Sequence, residues 1–392
     1  MADRAYITPK VLKWARESAR MSEDDAAAKV SVSVAKIEEW EAGISQPTIR
    51  QAQMLAKAYK RPFALFFLPD IPLDFQPLQD FRKPGSKPLS TSSIFIIREI
   101  QQKQAWIRDV YQDSGEKKLP FVGRFSIRDN PQQVAEDILN TIRIHPATYL
   151  TENPIKEWID AVEKAGIFIS RTSFIHSHLK LDADEIQGFA IADPYAPFVF
   201  LNSDDWKAPQ LFTLVHELAH IWIAETGISN DLEPHVKDKD KSHPIEIFCN
   251  QVAANALMPK EIMQRLDSNT FLQTKNVFKA SRQMGISSFA FLVRAYHLKM
   301  INLPTYQKLK KEADQEYDAF LKREEEKKLQ QKTKLKTGGP DYFLLLVNRN
   351  SRLFTQTVLD AFRGGLIEPT VASSLLNVQV NKFLRLEDHL LS

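Results

Sequence analysis

The sequence predicts a mainly α chain with one small β-sheet, arranged as an all-α domain at the front and an α+β core behind it. Three observations carry this prediction. Apolar residues recur every three to four positions through residues 9–68, in short runs broken by caps, which is the period of packed helices. The strand candidates, short runs rich in β-branched and aromatic residues, lie within 167–201. Helical periodicity then resumes at Leu211 and continues, with polar interruptions, to the end.

Five short helices are predicted at the front. Residues 9–19 carry Val11, Leu12 and Ala15 on one face. Ser22 caps a second helix, with Asp25 at the capping-box position. Residues 31–43 form a third helix, ended by Gly43 as the residue after the cap. Residues 47–59 and 62–68 complete the set. The run Ile37-x-x-Trp40-Glu41-x-Gly43 resembles the end of the recognition helix in the Cro/XRE helix-turn-helix family. The resemblance implies a helix that enters the major groove and reads base edges with polar side chains. Its outward positions here are Val34, Ala35, Lys36 and Glu39, two aliphatic residues and an acid among them. Ser31, Ser33, Lys36, Gln46 and Arg50 remain the candidate DNA contacts. Residues 1–70 hold 11 basic and 9 acidic side chains, so no strong electrostatic footprint marks them. Protein docking or dimerisation is the competing use of this domain.

Residues 71–92 read as a linker, because 81–88 are basic and contain two prolines and a glycine. A central domain spans 93–303. It opens with helical patterns at 93–112, 131–142 and 154–165, followed by strands at 167–170, 188–192 and 198–201. Residues 275–300 read as helix, glycine turn and helix; the second helix is mostly apolar, which favours packing over DNA readout. Residues 304–339 form a charge-laced helical spacer with pairs such as Glu324 and Lys328. Apolar periodicity in 340–392 predicts a small C-terminal helical domain.

The chemistry concentrates in His216-Glu217-Leu218-Ala219-His220. A helix stacks residues i and i+4, so both imidazoles project from one face and can hold a tetrahedral Zn²⁺. Glu217 between them is placed to reach a water at that metal. A third ligand has to come from another helix. In 243–259, bounded by Pro244 and Pro259, Glu246 shares a stripe with Cys249, Asn250 and Ala253. A carboxylate among small and neutral residues is a poor surface residue and a good ligand, with Asn250 one turn away to orient it. His243 and His235 are alternative ligands in a polar stretch, and His176 or His178 an alternative catalytic group. Cys249, the single cysteine, precludes an intramolecular disulfide and suits a reducing compartment. Its thiolate could occupy the open metal position as a switch; the bland alternative is a small buried hydrophobe.

H-E-L-x-H, then E-x-x-C-N and an A-x-x-L-M-P ending, resembles the ImmA/IrrE family of metallo-endopeptidases over roughly residues 130–300. The strands around 186–189 and 198–202 resemble those ahead of its active-site helix. Ala219 stands where many relatives have glycine, a small-for-small change. The resemblance implies an α+β zincin-like peptidase core, with His216, His220 and Glu246 as metal ligands and Glu217 as base. It implies Zn²⁺, with Mn²⁺ as an alternative, and an edge strand that takes extended peptide as an added strand. It also implies a protein substrate, a repressor or antitoxin-like regulator, whose cleavage changes transcription. A second reading is a DNA-binding regulator whose zincin domain senses metal and cleaves little. A third is a toxin-like peptidase kept latent by a partner.

Composition narrows the setting. No apolar stretch is long enough for a spanning helix, and the polar start does not read as a signal peptide. A membrane partner is therefore not expected, and the cytoplasm is. A net charge of +3 neither requires nor excludes nucleic acid. Oligomeric state leaves no trace in the sequence.

Overall fold

The computed structural model describes residues 3–73, 77–82, 86–145, 153–176, 179–204, 207–229, 243–332 and 341–391. The chain divides into two compact units. The first comprises Met1–Pro77, Lys87–Gln101 and Phe174–Lys180; the second comprises Leu78–Ser86, Gln102–Ser173 and Leu181–Ser392.

The first unit contains α1 (Pro9–Ser18), α2 (Glu23–Val30), α3 (Val34–Glu41) and α4 (Ile49–Ala58), then a 3-10 turn at Phe63–Phe67 where sequence pattern predicted a helix. Local chemistry sets the boundaries. Ser22 Oγ accepts the Asp25 N–H while the Asp25 carboxylate accepts the Ser22 N–H, and Thr48 and Gln51 repeat the arrangement at α4. Gly43 follows α3 at φ +74°, a left-handed position that glycine adopts without strain. Val11, Leu12, Ile37, Trp40 and Leu55 pack between the helices. Beneath them Arg16 reaches from α1 to α3: its Nε and Nη2 donate to the two Glu41 oxygens at 2.7 and 2.8 Å, and Nη1 donates to the Met21 carbonyl. A bidentate pair at this depth fixes the two helices against each other.

The second unit is built on a five-stranded mixed sheet. Its strands are β1 (Gln79–Asp80), β2 (Phe168–Thr172), β5 (Gly188–Ile191), β6 (Phe198–Asn202) and β7 (Gly227–Ser229), in the order β1-β7-β5-β6-β2. Between β2 and β5 the chain forms a separate hairpin of β3 (Phe174–His176) and β4 (Leu179–Lys180). β5 runs antiparallel to both β6 and β7, while β2 and β1 pair in parallel at the two ends. The helices that precede the core strands are α5 (Thr91–Asp113), α6 (Pro131–Ile142) and α7 (Pro154–Lys164). α8 (Lys207–Trp222) lies across β5 and β6, with α9 (Pro244–Leu257) packed on α8 and α6. Close approach of α8 to the sheet depends on Gly188, since a Cβ there would lie 2.7 Å from Thr213 Cγ2. α10 (Lys260–Gln264), α11 (Thr274–Gln283), α12 (Ser288–His297) and α13 (Leu303–Lys332) follow. α12 buries Phe291, Leu292 and Val293. The side chains of Glu324 and Lys328 lie outside the described residues, as do 333–340.

Two segments differ from the sequence expectation. Residues 79–82, read as linker, place β1 on the edge of the sheet and bury Phe81. The C-terminal helices, α14 (Tyr342–Asn350), α15 (Arg352–Arg363), α16 (Pro369–Leu376) and α17 (Phe383–Leu391), belong to the same compact unit as the sheet. α14 packs along β2, Ser170 Oγ donates to the Arg349 carbonyl, and the buried Lys103 donates to Asn350 Oδ1 at 2.8 Å. Ser351, between α14 and α15, sits at φ +78°, strained for a residue with a Cβ. Its hydroxyl donates to the buried Glu163 at the end of α7.

Candidate metal centre

α8 is apolar on nearly every side: Leu211, Leu214, Val215, Leu218 and Ile221 are all fully buried. Its polar residues are buried as well: His216 and His220 face α9, while Glu217 lies beside Gly188 of β5. His216, Glu217 and His220 are each 0% exposed and Glu246 is 4% exposed. α8 stops in a left-handed turn, with the Ala224 and Glu225 amides returning to the Ile221 and His220 carbonyls. That turn leads the chain into β7 alongside the motif. α9 starts with His243 as its cap and Pro244 in its first turn, which sets Glu246 opposite the two imidazoles.

Three donor atoms converge. His216 Nε2 and His220 Nε2 are 3.1 Å apart, and the Glu246 carboxylate lies 3.3 Å from the first and 3.2 Å from the second. Ligands about 2.0–2.1 Å from a tetrahedral zinc are separated by about 3.3 Å, close to these spacings, with each imidazole facing a different Glu246 oxygen, Oε2 for His216 and Oε1 for His220. Electrostatics is compatible with a cation at this point. Burial lowers His220 and opposes its protonation, and the nearby His216 adds to this against the pull of Glu246. Burial would raise Glu246, yet the imidazoles hold it down at about 2. An anionic carboxylate facing two imidazoles, one of which resists protonation, is a donor set short of positive charge. The residues fit a divalent metal.

The surrounding side chains fix this set. His216 Nδ1 lies 2.9 Å from Asn250 Oδ1, so its N–H donates there and Nε2 presents a lone pair to the site. Asn250 thus orients His216, where sequence spacing suggested Glu246; the carboxylate instead accepts Ser229 Oγ from β7 at 3.3 Å. The rotation of α9 about its axis, a tertiary property, decides this. Both Glu217 oxygens are buried without a hydrogen bond of normal geometry among the described residues; the Ser229 hydroxyl lies near enough to favour the ionised carboxylate but is directed to Glu246. Burial, reinforced by the charge of Glu246, pushes Glu217 well above the ordinary carboxylate range. The Cys249 sulfur lies with the imidazole nitrogens inside a 4.8 Å cluster. Burial and the carboxylates around it raise the thiol well above its usual value.

The other candidates are placed as follows. His243 accepts the Ile245 N–H as a helix cap, with its ring 5.2 Å from that of Phe81. His235, His178 and the side chain of His176 lie outside the described residues. In the first unit Ser31, Ser33 and Arg50 are exposed. Lys36 pairs with Glu39 at 2.5 Å, and Gln46 Oε1 accepts the Ile7 N–H. The Arg16–Glu41 pair, Ser229 and Phe81 were missed by sequence reasoning. Glu41 alone had a signal, its place in the Trp40-Glu41-x-Gly43 motif.

No helix among the described residues is long and apolar enough to cross a membrane. Comparison with curated proteins returned no match. Residues 12–66 match the helix-turn-helix family, and residues 162–296 match the IrrE N-terminal-like domain family. The second span holds both motif histidines, Glu217 and Glu246. The matches thus fall in the order helix-turn-helix, then IrrE N-terminal-like domain, and the second suggests a metallopeptidase.

Proposed function

We propose that the chain is a zinc-dependent endopeptidase that cuts an extended segment of a protein regulator, a repressor or antitoxin-like partner, and so changes transcription. One observation carries the peptidase reading. Three metal donors stand at tetrahedral spacing beside a buried carboxylate that makes no hydrogen bond of normal geometry among the described residues. His216, His220 and Glu246 would hold the metal. When bound, the metal supplies Lewis acidity toward water and the scissile carbonyl. Glu217 takes a proton from the attacking water at a carboxylate oxygen and hands it to the leaving amine. The burial that raises Glu217 suits a group that must keep that proton between the two transfers. Asn250 and Ser229 hold His216 and Glu246 in position meanwhile.

The fusion to a helix-turn-helix supports a regulator as substrate, and DNA binding through residues 12–66 belongs to the same reading. Ser31, Ser33 and Arg50 are the proposed contacts. Lys36 must first leave Glu39, and Gln46 already serves the fold.

The test compares new protein N-termini by mass spectrometry in cells expressing the wild type or Glu217→Gln. Termini that depend on Glu217, with one metal bound by both proteins, would establish the peptidase and name its substrate. Identical termini in the two strains would overturn it in favour of a metal-responsive DNA-binding regulator.

A further inference from the structure

A peptide meets Glu217 only if something lying over it gives way, because the carboxylate and both imidazoles are fully buried. Part of that cover is a short piece of this same chain. β1 pairs in parallel with β7, Gln79 opposite Gly227 and Asp80 opposite Ile228, and the Phe81 N–H donates to the Ile228 carbonyl at 3.1 Å. β7 is the strand that continues from the metal helix and carries Ser229 to Glu246. β1 therefore holds the sheet edge nearest the metal donors, where an extended peptide would add as a strand.

The Phe81 side chain makes the occupation specific. Its ring stacks on His220 at 5.4 Å between centroids and 13° between planes, and only 7% of the residue is exposed. The space it fills exists because residue 227 is glycine: a Cβ there would lie 2.1 Å from Phe81 Cε2. Arg82 turns back onto the Asp80 carboxylate through Nε and Nη2 at 2.8 and 2.7 Å, closing the end of the segment. A pocket walled by an imidazole face and a bare glycine accepts a flat aromatic side chain. Yet a two-residue strand offers few main-chain bonds to hold it there.

We propose that Gln79–Phe81 is a resident occupant of the peptide-binding edge, with Phe81 seated in a specificity pocket beside the metal centre. Substrates are extended segments that carry an aromatic side chain at the Phe81 position and displace this strand. The proposal rests on the peptidase reading for its meaning, but its test reads binding and not turnover.

The probe is a fluorescent synthetic peptide Pro-Leu-Gln-Asp-Phe-Arg, the sequence of residues 77–82. Its affinity is measured by polarisation on the full-length Glu217→Gln chain, with and without Phe81→Ala. The expected result is at least tenfold tighter binding once Phe81 is removed, and loss of that gain when Gly227→Ala fills the pocket. Equal affinity with and without Phe81 would overturn the proposal. Circular dichroism checks that the variants fold. If Phe81→Ala does not, hydrogen exchange on the chain with Phe81 intact decides. Saturating peptide should speed exchange of the Phe81 amide, and an unchanged amide would sink the idea. Absence of Glu217-dependent cleavage in cells would count against the peptidase reading and leave these binding results standing.

Discussion

Glu163 makes the fold of the second unit sensitive to pH. The residue lies in the last turn of α7, is 7% exposed, and accepts the Ser351 hydroxyl and the Leu353 N–H. Burial outweighs these bonds and raises its carboxyl from 4.5 to about 7. A raised acid is favoured in its neutral form when folded. Its contribution is therefore fully present below the unfolded value and is lost as pH rises through about 7. At ~1.4 kcal/mol per pKa unit, the shift corresponds to about 3 kcal/mol, most of it falling between pH 5 and 8. Glu163→Gln keeps an acceptor oxygen and removes the titration. Thermal melts of both proteins from pH 5 to 8 should converge at the acid end. At pH 8 the variant should melt higher, by roughly 5 °C for a unit of this size. Other groups titrate in both proteins, so the difference between the curves isolates Glu163. Parallel curves would refute the reasoning.

Three further outcomes follow from the same geometry. Asn250→Ala should weaken metal binding about 10- to 100-fold in chelator competition, with Asn250→Asp recovering much of it; unaltered affinity would mean His216 needs no support. Arg16→Met strands the Glu41 carboxylate and should cost about 3–5 kcal/mol in denaturant unfolding, whereas adding Glu41→Leu should restore most of it. A double variant no better than the single one would argue against that account. Gly188→Ala places a Cβ 3.0 Å from Glu217 Oε1 and 2.7 Å from Thr213 Cγ2. Metal stoichiometry should hold while Glu217-dependent cleavage falls roughly 100-fold, the scale of a misplaced catalytic group; undiminished turnover would show that the base tolerates the shift.

What could be read beforehand was local. Ser22 with Asp25, and Gly43 after α3, are contacts within one turn of chain, and they set the boundaries of the first unit. His216 and His220 follow from helical stacking, and Glu246 from its neutral surroundings on α9. Contacts between distant segments were not legible. The partner of Asn250 depends on how α9 is rotated against α8, and periodicity does not fix that angle to one residue. Gln79–Asp80 is too short to show strand alternation, and the glycine that admits Phe81 lies far along the chain. The apolar periodicity of 340–392 revealed helices but not their partner; polar contacts from Ser170 on β2, Glu163 on α7 and Lys103 on α5 hold them to the rest of the unit.

The placement of β1 and of α14 at opposite ends of the sheet also bears on how this chain behaves when crowded. An unpaired strand edge is a template for another molecule, and open edges drive polymerisation. α14 packs on β2 at the other end. On the other side, release of β1 would bare only the three residues of β7. Three residues, one of them a glycine, are too few to nucleate a stable intermolecular sheet, but enough to grip a peptide already held by a side-chain pocket. Under the proposal above, release of β1 would therefore expose a peptide grip too short to recruit a second copy of the chain.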